Sequence, residues 1–125
     1  MTNSKYLRIL VTSKDFDLGV YRMETVYQQQ ARIFKAFCDP NRLEILELLR
    51  GGERCACKLQ DQLQLTQSGL SYHMKILCES GMVTSRQEGK WTHYSLNPAG
   101  CDLALTLLRQ ITTPKDGQCP DCQQV

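Results

Sequence analysis

The sequence lacks the features that would indicate a membrane protein or an exported protein. No apolar run approaches the roughly 18 residues that a membrane-spanning helix requires, so we expect no membrane partner. Residues 1–22 hold only the short run LRILV, without the apolar length or the small-residue cleavage site of a secretory signal. These absences predict a cytoplasmic protein, in which seven cysteines are more suited to metal binding or redox chemistry than to disulfides.

Histidine and net charge are scarce as well. The chain has two histidines, and no carboxylate, serine or cysteine arrangement resembles a catalytic set. The net charge is +2, which is too small to indicate a nucleic-acid partner by electrostatics alone. We therefore expect a binding protein rather than an enzyme.

The length and composition indicate a single globular domain with an extension at each end. The chain has 125 residues, of which 42% are hydrophobic and 22% charged. Residues 1–22 show no clear period and form an N-terminal extension. Residues 23–111 carry the periodic segments, and residues 112–125 form a tail, rich in Pro, Gly, Lys, Asp and Gln, that we expect to be mobile.

The most informative stretch is Thr66–Gly81, which predicts one helix with two different faces. Leu70, Met74 and Leu77 recur at helical spacing and are expected to face a core. The opposite face is polar, which is typical either of an ordinary surface helix or of a helix that reads base edges and phosphates. The polar residues are Gln67, Ser68, Ser71, Tyr72 and Lys75.

The segments around this helix predict a mainly α fold with a small β-hairpin wing (α+β), a winged helix-turn-helix. The stretch Glu53–Gln64 is expected to form the short helix that precedes the reading helix. Val83–Gln87 and Trp91–Leu96 alternate with period two around Glu88-Gly89, which indicates a hairpin. Further helices are predicted before residue 51 and after Asn97-Pro98.

Five segments, in this order and spacing, resemble the ArsR/SmtB family of bacterial metal-responsive repressors: DPNRLEILELL, CAC, LTQSGLSYHMKIL, ESGMV and RQEGKWTHYSL. The resemblance implies a homodimer whose first and last helices form the interface. It also implies a palindromic double-stranded operator DNA, repression without inducer, and release when a metal or metalloid binds. The apolar stripes of the first and last helices agree with such a dimer.

The resemblance also implies positions that contact DNA. On the reading helix these are Gln67, Ser68, Ser71, Tyr72 and His73, with Lys75 as a phosphate contact. Arg86 and Lys90 match the wing and flank its predicted tip. An alternative stays open for each group. The ring of His73 could pack under the helix instead of contacting DNA, and the two wing cations could form only a solvated hairpin tip.

Cys55 and Cys57 are the candidate ligands for a soft metal or metalloid. Their sulfurs must approach within roughly 4 Å to share an ion with bonds near 2.3 Å. On an ideal helix they would differ by about 200°, so the first turn must be unwound or not helical. We expect ion binding there to distort the support of the reading helix, and Arg54 and Lys58 to lower the thiol pKa. The alternative is a pair of small buried hydrophobic residues.

The identity of the inducer depends on further thiols. Arsenite-type sites in the family usually carry a third cysteine where this chain has Gln60, so Cys119 and Cys122 of the tail are the best source. Trivalent arsenic or antimony is the first hypothesis, and an arsenical with an organic group would need only two thiols. Four thiolates would suit Cd(II), Pb(II) or Zn(II). Two alternatives stay open: the thiols form a redox switch, or the tail cysteines take no part in inducer binding. Cys38 and Cys78 are expected to be structural.

Overall fold

The computed structural model describes residues 23–117. In this part of the chain five helices and three strands follow one another: α1 (Val26–Lys35), α2 (Pro40–Leu49), β1 (Arg54–Cys55), α3 (Ala56–Leu63), α4 (Gln67–Glu79), β2 (Val83–Glu88), β3 (Trp91–Leu96) and α5 (Pro98–Thr112). The strands form an antiparallel sheet in the order β1-β3-β2. The predicted winged helix-turn-helix is confirmed. No helix in residues 23–117 is long and apolar enough to cross a membrane.

The starts of α2 and α4 follow directly from their capping residues. The Asp39 carboxylate accepts a hydrogen bond from the backbone N–H of Asn41 at 2.8 Å, and Pro40 occupies the first helical position. The Thr66 hydroxyl accepts from the backbone N–H of Gly69 at 3.0 Å. Both caps satisfy amide groups that have no partner within the first turn of a helix.

The core lies between α2, α3, α4 and the first residue of β2. The predicted inward stripe of α4, formed by Leu70, Met74 and Leu77, is buried with 3% exposure or less. Burial of side chains of this size contributes about 1.5–3 kcal/mol each. The remaining core residues are Ala36, Ile45, Leu49, Leu59, Met82, Val83 and Ala104.

The start of α5 is fixed against the end of α4. The Asn97 side-chain amide does not cap its own helix; it donates to the backbone carbonyl of Gly81 at 3.0 Å. A Cβ atom on Gly100 would lie 1.8 Å from that same carbonyl oxygen. Only glycine permits this approach, so α5 and α4 are held in one arrangement.

The prediction of a helix from Glu53 onward is wrong at its first residues. Residues 54 and 55 form strand β1, in which Arg54 pairs with Tyr94 and Cys55 with His93 of β3. Cys55 is extended, with φ −70° and ψ 145°, and α3 begins after it. The pairing with β3 supplies hydrogen bonds that a first helical turn would have left unmade. The helix ends at Leu63, and the next residue, Gln64, has a left-handed φ of 52° that makes the turn toward α4.

Candidate nucleic-acid interface and thiol site

The outer face of α4 presents the polar groups predicted for a reading helix. Gln67, Ser68, Ser71, Tyr72 and Lys75 are all exposed, and the Tyr72 ring is 60% exposed. An open depression at the start of the helix is lined by residues 66–68 and 71. Hydroxyl, amide and ammonium groups at this end can reach base edges and phosphate oxygens.

His73, which was also predicted to contact DNA, does not belong to this outer face, because its side chain is buried. The residue is 7% exposed, and its Nδ1 lies 3.1 Å from Nη1 of Arg42. A guanidinium only donates, so Nδ1 is the acceptor. Nε2 lies 3.5 Å from the side-chain amide of Asn41. The packed alternative that the sequence left open is the one the structure shows.

Arg42 is a residue of the site that the sequence interpretation missed. It is 4% exposed, and its Nη2 donates to the backbone carbonyl of Lys35 at 3.0 Å. Together with the contact to His73, this side chain joins α4 to α2 and to the end of α1. The sequence did hold a signal for the burial of His73, the partner of Arg42. His73 follows Leu70 by three residues and precedes Leu77 by four, so it lies on the apolar stripe of α4.

The two predicted wing cations have different surroundings. Arg86 lies within β2 and not at the tip; its Nη2 donates to Glu53 at 2.6 Å and its Nη1 to Glu88 at 3.0 Å. These two carboxylates raise the pKa of Arg86, Glu53 more than Glu88, and the Arg86 guanidinium lowers the pKa of Glu53. Lys90 lies in the hairpin turn, with its Nζ 5.2 Å from the ring centroid of Trp91.

The thiols of Cys55 and Cys57 lie together at the junction of β1 and α3. Their sulfurs are 3.0 Å apart, and both residues are partly exposed. A hydrogen bond from the Cys57 thiol lowers the pKa of Cys55, followed by backbone N–H groups and the charge of Lys58. The same bond raises the pKa of Cys57. The hydrogen bond therefore favours ionisation of Cys55 over ionisation of Cys57, and thiolate is the form that binds soft metals.

The close approach of the two sulfurs agrees with the non-helical alternative expected for this turn. Because Cys55 belongs to β1, only Cys57 is helical, and the sulfurs meet without unwinding of α3. Arg54 also differs from expectation: it does not contribute to the lowered pKa of Cys55. Its guanidinium instead lies toward Gly51, where an added Cβ would come within 2.9 Å of Nη2.

The other cysteines separate into three groups. Cys38, expected to be packed, is exposed, because its chain position falls just beyond α1 where the backbone turns. Cys78 and Cys101 pack against the core, and burial raises the pKa of both thiols. Cys119 and Cys122 lie outside the described residues. Within residues 23–117, no group of three or more His, Cys, Asp or Glu side chains could hold a metal ion.

These features define a class of protein: a winged helix-turn-helix DNA-binding regulator. The family model described as "Bacterial regulatory protein, arsR family" matches residues 39–85, which run from the cap of α2 into β2. The chain belongs to the ArsR family.

Individual relatives and structures agree with this assignment. The chain is 42% identical over 91 residues to an arsenical resistance operon repressor of Staphylococcus xylosus, covering 73% of this chain and 88% of the relative. It is 48% identical over 69 residues to an uncharacterized HTH-type transcriptional regulator of Methanocaldococcus jannaschii, covering 54% of this chain and 78% of that protein. A homodimeric winged helix-turn-helix DNA-binding domain from Mycobacterium bovis superposes with a TM-score of 0.55 at 32% identity, covering 69% of this chain and 79% of that one.

Proposed function

We propose that this protein is a homodimeric repressor that leaves its operator DNA when trivalent arsenic or antimony binds Cys55 and Cys57. The observation that carries the proposal is the pair of partly exposed sulfurs 3.0 Å apart. Two sulfurs on one ion with bonds near 2.3 Å lie roughly 3.8 Å apart at a tetrahedral angle. The thiols would separate by less than about 1 Å, which side-chain rotation alone can supply.

The chemistry of the donors and the relatives support the same inducer class. Thiolates are preferred by soft metals and metalloids, and Cys55 has a lowered pKa that enriches this form. The Staphylococcus xylosus relative, 42% identical, is named for arsenical resistance. When bound, the inducer would form one bond to each sulfur and so bridge them; the chain supplies two ligands that already lie together.

A third sulfur would come from beyond residues 23–117 or from the partner subunit. Gln60 occupies the position where the sequence resemblance places a third cysteine, and Gln60 cannot act as a thiolate. We propose Cys119 or Cys122 for this role. An arsenical that carries an organic group would be satisfied by Cys55 and Cys57 alone.

A divalent inducer is the second candidate. Cys55 and Cys57 could also provide two of the four thiolates of a Cd(II), Pb(II) or Zn(II) site, completed by both tail cysteines. The two candidates differ in their need for the tail. Serine at Cys119 and Cys122 together should abolish a four-thiolate site, whereas an organoarsenical response should persist.

The homodimer is supported by apolar side chains that the described part of one chain leaves uncovered. Val26 and Tyr27 of α1 are 54% and 76% exposed, and Leu105 and Ile111 of α5 are 61% and 50% exposed. Clustered exposed apolar side chains are typical of interaction surfaces. A twofold axis through α1 and α5 would also bring two α4 helices to one palindromic duplex, about 34 Å apart.

DNA binding is proposed to divide between α4 and the wing. Gln67, Ser68, Ser71 and Tyr72 would contact bases, and Lys75 a phosphate, because all five are exposed on one face. Arg86 and Lys90 of the wing would contact the backbone. For Arg86 this requires the side chain to exchange a carboxylate for a phosphate oxygen.

The test uses the full chain and a DNA duplex that the metal-free protein selects from a random-sequence pool. This DNA is the selected duplex. Arsenite, antimonite, phenylarsenite, Cd(II), Pb(II), Zn(II) and peroxide are each added to the complex, and fluorescence anisotropy reports release. We expect arsenicals and antimonite to release the duplex from the wild type and from Cys38→Ser, which removes an exposed thiol away from the site. Cys55→Ser and Cys57→Ser should bind DNA but resist release; release from both variants would contradict the proposal.

A further inference from the structure

The thiol pair is connected to the wing by strand β1. Cys55 lies opposite His93 of β3, and His93 lies opposite Arg86 of β2. The first thiol of the proposed inducer site is therefore part of the same sheet as a predicted phosphate contact. Because neighbouring strands of a sheet are hydrogen-bonded in register, a restraint on the backbone of Cys55 is shared with β3 and, through β3, with β2.

Glu53, two residues before Cys55, holds the Arg86 side chain. Its carboxylate accepts from Nη2 of Arg86 at 2.6 Å and from Nε at 3.3 Å. The Ser95 hydroxyl donates to the same carboxylate at 3.3 Å, and Nδ1 of His93 lies 3.7 Å away. Two N–H groups of the guanidinium therefore donate to the two oxygens of one carboxylate. Arginine forms the same paired hydrogen bonds with phosphate.

We propose that the Glu53 carboxylate competes with a DNA phosphate for Arg86, and that occupation of the thiol site favours the carboxylate. The inference rests on the proposed function. Glu53 and Cys55 are separated by one residue in an extended segment, so fixing Cys55 to Cys57 through a common ligand also restrains Glu53. The DNA-bound state needs Glu53 to give up Arg86; the inducer-bound state keeps the two together. Helix α3 stays intact in both states.

Glu88 provides the matched control. It also accepts a hydrogen bond from Arg86, at 3.0 Å, and it is likewise exposed. However, Glu88 is the last residue of β2 beside the hairpin turn, and its strand does not pair with β1. Removing either carboxylate should free Arg86 for phosphate, but only removal of Glu53 should disconnect Arg86 from the thiols.

The experiment compares the full-length wild type with Glu53→Gln, Glu88→Gln and Arg86→Ala, measuring affinity for the selected duplex with and without arsenite. Both glutamine variants should bind about two- to fivefold more tightly without arsenite, which is the range of a single exposed ion pair. Arsenite should weaken binding by the same factor in Glu88→Gln as in the wild type. In Glu53→Gln that factor should fall about two- to fivefold.

The double variant Glu53→Gln/Arg86→Ala should bind no more tightly than Arg86→Ala alone, because the gain depends on Arg86. An unchanged affinity of Glu53→Gln, or an arsenite response equal to that of Glu88→Gln, would overturn the inference while the proposed function stands. If arsenite does not release the wild type either, the proposed function fails, and this inference fails with it.

Discussion

Replacing His73 separates the role of a buried ring from that of a base-reading side chain. His73→Ala removes the acceptor for Nη1 of Arg42, a guanidinium that is 4% exposed. The Nε of Arg42 already lacks a hydrogen-bond partner within the described residues. A buried donor left without its acceptor costs about 1–3 kcal/mol, and each kcal/mol lowers the Tm of a domain of this size by roughly 4–8 °C.

We therefore expect the Tm of His73→Ala to fall by roughly 5–20 °C in thermal unfolding followed by circular dichroism. Well below that temperature, the variant should discriminate between the selected duplex and its single-base variants as the wild type does. His73→Gln should recover part of the lost stability, because its amide oxygen can accept from Arg42. The reason is that the ring holds α4 on α2 and does not enter the groove.

Ser71→Ala is the control on the exposed face of the same helix. It should keep the wild-type Tm within a few degrees and lose discrimination at the base it contacts, by about 0.5–1.5 kcal/mol, the range of a single hydrogen bond. The reasoning about His73 would be refuted by the opposite pattern: an unchanged Tm for His73→Ala together with relaxed base discrimination.

Further predictions concern phosphate contact, thiol ionisation and the dimer. Lys75→Ala should weaken binding about equally for all duplexes and reduce the salt-dependence slope by about 1; selective loss at one base would contradict this. The hydrogen bond from Cys57 is the main cause of the lowered pKa of Cys55, so alkylation of Cys55 should slow as pH falls through a midpoint below the ordinary thiol pKa. Cys57→Ala should raise that midpoint. An unmoved midpoint would exclude the hydrogen bond as the cause. Leu108→Glu, on an exposed position of α5, should shift sedimentation toward the monomer and weaken DNA binding; an unchanged sedimentation coefficient would place the interface elsewhere.

The sequence was sufficient for features that local residues determine. Capping residues such as Asp39 and Thr66 satisfy amides only two or three positions away, and the period-two pattern of the wing lies within one hairpin. These signals are local, so they can be recognised without knowing the fold. The two ends of α4 and the two strands of the wing were predicted within two residues, whereas α3 begins three residues later than predicted.

Features that depend on distant residues could not be predicted. Strand β1 is two residues long and exists because Cys55 pairs with His93, 38 positions later. The pairing of Glu53 with Arg86 spans 33 positions. Without β1, the sequence could require only that the first turn be unwound or not helical; the structure shows the second alternative, with Cys55 in a strand.

Ligation of Cys55 and Cys57 and binding of DNA are expected to exclude one another. The most direct measurement is a titration of phenylarsenite into the complex with the selected duplex, with anisotropy and the number of free thiols per protomer followed together. We expect anisotropy to fall to that of the free duplex as two thiols per protomer are consumed, and we expect Cys55→Ser to show neither change. A complex that persists with both thiols ligated would contradict this expectation.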